Sequence, residues 1–207
     1  MLKETLEHFQ RVEAHPDFQE NSTTALGLFY QFIFFLENQQ DFPNREINDL
    51  ASFNHNLILD GHITIVFYEQ SKLPEHLALC VDADGMVETP KLFIPQTFVK
   101  AVAEAPETQI GSLVATMSHC RDYFCNLLTK HNGDSFKNRA HAYEAEALQT
   151  LLKMAKKEQV PLHFTPFQED LLERFPNGLA DLAKEDRKRA PEYKAIYSPP
   201  KHYPSRN

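Results

Sequence analysis

The stretch Ala25–Leu36 (ALGLFYQFIFFL) constrains the fold most, because its 12 residues contain a single side-chain amide, Gln31. Wound as a helix it is apolar on nearly every side, which marks a central element that others must cover. Crossing a bilayer takes about 20 apolar residues, so the stretch reads as a core helix and no membrane span is expected. Ser22, Thr23 and Thr24 offer N-caps, and the helix should reach about Asn38.

Other segments supply the cover. Leu2, Leu6, Phe9 and Val12 recur at helical spacing ahead of a His15-Pro16-Asp17 stop. After a break at Pro43, Ile47 and Leu50 suggest a short amphipathic segment. The run LILDGHITIVFYE, residues 57–69, then places β-branched and aromatic residues on both sides of Asp60-Gly61. An Asp-Gly pair there predicts a hairpin, since a type I′ turn needs positive φ at both central residues. LALCVD and MVETPKLFI flank Ala83-Asp84-Gly85 in the same way, so a small antiparallel sheet is expected over about 56–94.

Helical spacing returns from Pro95. Phe98, Val99 and Val102 form one stripe closed by Pro106; Ile110, Leu113, Val114, Met117, Phe124 and Leu127 form another, stopped at His131-Asn132-Gly133. A following stripe from Phe136 through Tyr143 to Ala155 makes the second arm of an antiparallel helical hairpin. Thr165-Pro166-Phe167-Gln168 combines an N-cap, Pro at the first helical position and Gln at the capping-box position. A short helix to Arg174 should follow, then Pro176-Asn177-Gly178 and a last helix to about Arg189. The expected fold class is therefore α+β and mainly helical: N-terminal helices, the small sheet, then a C-terminal helical bundle. Residues 1–189 form one globular domain in this reading, and 190–207 an extended tail.

Three cysteines, Cys80, Cys120 and Cys125, form no CxxC pair. That usage suits a reducing compartment, and with no apolar core of signal-peptide length in MLKETLEHFQ a cytoplasmic location is expected. The formal charge is −8. Its sign argues against nucleic-acid binding by the body, which would require phosphate neutralisation.

Helical geometry singles out one charged pair. At 100° per residue Arg121 falls inside the apolar stripe of its helix and Glu144 inside the next, with Tyr143 beside it. A hairpin turning at about 132–133 sets Arg121 opposite Glu144, and inward charges should pair because an unpaired buried charge is far costlier. Such a pair either anchors a pocket for a polar or anionic ligand or fixes the register of two helices. His119 and Asp122 also lie three apart on one arm, and His141 and Glu144 three apart on the other, with Glu146 across from His119. Residues at that spacing share a face, which makes His119, Asp122, His141 and Glu146 candidate metal ligands. Cys120 and Cys125 are about 140° apart around a helix and read as buried apolar residues. Asp82-Ala83-Asp84-Gly85 with Glu88 lacks the spacing of a calcium loop, and no phosphate-binding glycine loop or G-x-S-x-G elbow occurs. The sequence names no cofactor.

Charge is distributed unevenly. Arg187–Asn207 holds six Lys or Arg against Glu192 alone, a net +5 that leaves residues 1–186 at −13. Tyr193, Tyr197 and Tyr203 interleave with this basic stretch behind Arg187, Lys188 and Arg189, and Ser198-Pro199-Pro200 favours polyproline geometry. Three fates are open to it: strapping back on its own acidic body, binding an acidic partner or nucleic acid, or remaining solvated.

An N-terminal helix, strands around the L-x-L-D-G turn at Leu57–Gly61 and the acidic balance are loosely similar to small type III secretion chaperones, over Leu57 to about Ala105. The chain departs from that family by staying helical from about 110 to 189, and no functional residue carries across. Two functions of different class follow. One is a non-enzymatic binding or regulatory protein with a protein partner or self-association, acting through the acidic body and basic tail. The other is an enzyme with a polar or metal-containing pocket in the 110–158 hairpin.

Overall fold

Helix α2 (Ser22–Asn38) encloses Leu28, Phe29, Phe32, Ile33 and Leu36 but leaves Gly27, Gln31, Phe34 and Asn38 exposed along one face, so it is covered on one side and not on every side as expected. The computed structural model describes residues 2–11, 22–43, 45–68, 78–80, 91–95, 97–124 and 133–182. Helix α1 (Leu2–Gln10) buries Leu2, Leu6 and Phe9, and the Phe9 ring meets Phe32 edge-on at 4.3 Å. Its first turn is held from far along the chain. The Leu2 and Lys3 N–H groups donate to the Glu158 carboxylate at 3.0 and 2.9 Å, filling two of the amide positions that a helix start leaves open. At the other end of α2, the Asn48 side-chain amide donates to the carbonyls of Leu36 and Gln39 at 2.7 and 2.8 Å.

Helix α3 (Glu46–Leu59) is longer than the short segment expected and absorbs Leu57-Ile58-Leu59, read above as a strand. Ile47, Leu50, Asn54 and Leu57 are all buried at helical spacing, so the period runs on through residues whose composition suggests β. Asp60-Gly61 is accordingly a helix end instead of a hairpin turn. Gly61 has φ +72°, its N–H donates to Ile58 O at 3.1 Å, and the His62 N–H donates to Leu57 O at 2.8 Å. Those two bonds make a Schellman cap, which demands the same left-handed glycine that a type I′ turn does.

The sheet is also corrected. Among the described residues it has three strands in the order β1-β3-β2, where β1 is Thr64–Tyr68, β2 Ala78–Cys80 and β3 Lys91–Pro95. Its central pairing, β1 with β3, is parallel, with Thr64 opposite Lys91 and Phe67 opposite Ile94. Only β2 runs antiparallel to β3. With Asp60-Gly61 closing a helix, β1 has no hairpin partner before it and pairs with a strand beyond a crossover. Residues 83–85, the second expected turn, lie outside the described residues. The strand–turn–strand element behind the chaperone likeness is therefore not what Leu57–Gly61 forms.

Helix α4 (Phe98–Glu104) buries Phe98, Val99 and Val102, and Pro106 opens helix α5 (Pro106–Phe124). Helix α5 packs along helix α6 (Gly133–Glu158), which reaches back to α1 through Glu158. Helix α7 (Pro166–Arg174) begins with the expected capping box: Thr165 Oγ1 accepts from the Gln168 N–H at 3.2 Å, and Gln168 Oε1 accepts from the Thr165 N–H at 3.4 Å. A single 3-10 turn, Gly178–Asp181, follows. The rest of the last expected helix and the whole tail lie outside the described residues, and so do Val12, the His15–Asp17 stop and Cys125.

Candidate functional site

Polar groups gather along the seam between α5 and α6. Asp122 and Arg139 meet there, Arg139 Nε donating to Asp122 Oδ2 at 2.9 Å with side chains 0 % and 2 % exposed. Arg121 takes a different position. Its guanidinium lies 4.7 Å over the centre of the Tyr143 ring, a cation–π contact. The Tyr143 hydroxyl donates to Glu46 Oε2 at 2.9 Å, at the first turn of α3. Burial pushes this phenol up to about 12, with Arg121 opposing and Glu46 adding to the shift, so Tyr143 stays protonated and is a donor.

Glu144, the expected partner of Arg121, points elsewhere. Its Oε1 accepts from Gln168 Nε2 at 2.8 Å, and that same amide donates to Thr108 O at 3.1 Å. A β-carbon on Gly111 would stand 2.9 Å from Gln168 Nε2 and 3.2 Å from Glu144 Oε1, so glycine makes room for the pair. Burial pushes the Glu144 carboxyl up, with the Gln168 bond opposing. The expected Arg121–Glu144 pair is thus replaced by three contacts: Asp122–Arg139, Arg121–Tyr143 and Glu144–Gln168. All three lock helices together.

The four candidate metal ligands are likewise dispersed. Asp122 is taken by Arg139. Glu146 accepts from the Leu179 N–H at 3.0 Å, capping the 3-10 turn, and Gly178 sits against its carboxylate with φ +57°. Burial raises the Glu146 carboxyl, opposed by the Leu179 N–H and Lys153. His119 and His141 stay close enough to influence each other. Burial first, then His141 and Arg139, pushes His119 down to about 4, and burial, Arg174 and Lys137 lower His141 against the opposing pull of Asp170. Both imidazoles are therefore neutral at pH 7. Among the described residues no three His, Cys, Asp or Glu are arranged to hold a metal ion. Cys120 is buried and its thiol is pushed up to about 12, which leaves no thiolate to attack anything.

A concave surface lies on the far side of α2. A cavity of about 1030 Å³ runs between α1 and α2 and extends to α3 and the end of α6. Phe9, Tyr30, Phe34 and Phe35 line it, with Glu4, Asp41 and Lys157 among the polar residues around it. His8 and Gln31 tie the two helices across it at 3.0 Å, and His55 Nδ1 lies 3.1 Å from Glu37 Oε1 at one side. Phe34 is 65 % exposed where it lines this surface, on the most apolar helix of the chain. A smaller cleft of about 490 Å³, lined by Pro43, Glu146, Lys153, Asn177 and Ala180 among others, adjoins the 3-10 turn.

None of the groove residues was a site candidate in the sequence, where Phe9 and Gln31 figured only in the reading of helices. The signal was present in the excess of aromatics on α2, since a helix apolar on every side either is covered everywhere or offers one face to a ligand. Among the described residues, no helix is long and apolar enough to cross a membrane. The tail candidates Arg187, Lys188, Arg189, Tyr193, Tyr197 and Tyr203 lie outside the described residues. Comparison with known proteins yields no match to a family model, a curated protein or a solved structure.

Proposed function

We propose that this chain is a non-enzymatic binding protein that takes an extended segment of a protein partner into the groove between α1 and α2. One observation carries the reading: an aromatic-walled groove of about 1030 Å³ that keeps Phe34 65 % exposed. Clefts of this size suit ligands that bring an apolar body and a few polar contacts. Exposed aromatics bordered by polar groups are what protein interfaces use as anchors. Between α5 and α6, by contrast, Asp122 is paired with Arg139, and Glu144 is held by Gln168 of α7, contacts that support a structural role for these residues over the enzyme reading. Residence in the cytoplasm belongs to the same proposal and rests on the pattern of cysteine usage. The acidic sum over residues 1–186 favours a partner segment carrying Lys or Arg, and disfavours nucleic acid.

The test replaces Phe34 with a photoreactive phenylalanine analogue, a change that its exposure makes harmless to the core. Irradiation in cells should yield protein adducts from position 34 and none from exposed Glu173 on α7 substituted in the same way. Tyr30→Ala in the same chain should cut the adducts at least about fivefold, the loss of one aromatic anchor. If position 34 gives no adduct, either to another chain or to its own, the reading is wrong.

A further inference from the structure

We infer that the groove between α1 and α2 is a docking site for the chain's own basic C-terminal stretch, Arg187–Asn207, which a partner must displace. The inference rests on the groove reading above and adds its resident occupant. Three observations converge on it: where the described chain ends, what the groove offers, and what the stretch carries.

The described residues end at Leu182, just past the 3-10 turn. Ala180 of that turn lines the smaller cleft together with Pro43, and Asp41, two residues from Pro43, lines the groove. The root of the stretch is therefore one cleft away from the groove. Tyr193 stands eleven positions beyond Leu182, and an extended chain of that many steps spans up to roughly 36 Å, ample for the crossing.

The groove presents aromatic faces from Tyr30, Phe34 and Phe35, and two acids, Glu4 and Asp41, against one cation, Lys157. Proline-rich segments dock in aromatic-lined grooves because polyproline geometry is already extended and loses little entropy on binding. The stretch carries four prolines, three tyrosines and six Lys or Arg against one acid, and the body it is attached to sums to −13. Aromatic and proline rings match the walls, and the cations match the acids. Tethering supplies the rest. At an effective concentration on the order of 1 mM, an intrinsic affinity of only ~0.1 mM leaves the docked form about tenfold ahead of the free one. A partner segment of the same chemistry then has to bind about tenfold more tightly to appear equally avid, which makes the stretch a threshold on partner binding.

The experiment uses the full chain, with the photoreactive analogue at position 34, purified, dilute and mixed from light and 15N-labelled preparations. Mass spectrometry should find position 34 joined to residues 193–203 of the same chain, with no light–heavy adducts. The triple variant Tyr193→Ser, Tyr197→Ser, Tyr203→Ser should lower that yield about tenfold while the helical circular dichroism is unchanged. Adducts joining light to heavy chains would mean that a second copy fills the groove, and would overturn the inference. Adducts to other proteins in cells with none to residues 193–203 in the purified chain would also overturn it, leaving the groove reading intact. No adducts under either condition would remove both.

Discussion

Asp122 and Arg139 illustrate what a single residue's position can and cannot reveal. Helical periodicity placed charged groups inside the seam of the α5–α6 hairpin, and buried charges do meet there. The register is close to the one expected, since Arg121 stacks on the Tyr143 ring, one position from Glu144. The partners differ because residue spacing sets the face of a helix but not where each side chain reaches: Glu144 turns to Gln168 on α7, and Arg139, four residues before Tyr143 on the same face, meets Asp122. With side chains 0 % and 2 % exposed, removal of either partner takes a buried ion pair away from the charge that stays. Asp122→Ala should therefore cost about 3–5 kcal/mol in urea unfolding. The double variant Asp122→Leu, Arg139→Met should recover most of that loss, because two apolar groups need no partner. If the double variant loses as much as the single, the pair is not what holds the seam.

At the scale of elements, local signals were legible and context-dependent ones were not. The capping box at Thr165–Gln168 depends on four consecutive residues, and it formed as read. Asp60-Gly61 announced a left-handed glycine correctly, but a helix cap and a hairpin turn ask for the same residue. Only the buried period Ile47, Leu50, Asn54, Leu57 decides between them. The groove was illegible for a related reason: whether an all-apolar helix is covered on each side depends on every other element. Gln168 shows how an element start can carry more than its local duty. Its oxygen closes the capping box while its nitrogen donates to Glu144 and Thr108, so the side chain docks α7 onto both α5 and α6. Glutamate serves equally well in a capping box, yet Gln168→Glu would set a carboxylate against buried Glu144 and leave Thr108 O without its donor. A loss of about 2–4 kcal/mol is expected from the broken bonds and the like charges. The sign of the pH dependence follows from Glu144, whose carboxyl is raised by burial. Its contribution to stability is full below its ordinary value near 4.5 and is lost as pH rises through the raised one. Glu144→Gln should thus be neutral or stabilising at pH 7, with the advantage fading below pH 4.5. Thermal unfolding at pH 7 and pH 4 measures both variants, and a Gln168→Glu protein as stable as the parent would discount the docking role.

Across the whole molecule, the start of the described chain is tied to the end of α6 by one carboxylate. Glu158, at the end of α6, holds the Leu2 and Lys3 amides at the start of α1, 156 and 155 residues away. Those two N–H groups, Lys3 first, push its carboxyl down to about 2. A lowered carboxylate stabilises fully above its ordinary value near 4.5 and loses that effect as pH falls toward about 2, so the tie between α1 and α6 is acid-sensitive and intact at neutral pH. Helix α1 is also one wall of the groove, through Glu4, Thr5, His8 and Phe9, and Lys157 beside Glu158 lines it too. The docking role proposed for the groove therefore predicts that its occupancy depends on a residue outside the cavity lining. Glu158→Gln keeps one acceptor and loses the charge, and should speed hydrogen exchange of the α1 amides while leaving α5 and α6 protected. Photo-crosslinking from position 34 should fall in the same variant, because Phe9 and His8 are no longer held in place. Faster exchange in α1 with undiminished crosslinking would separate the two, and would show that α2 alone provides the docking surface.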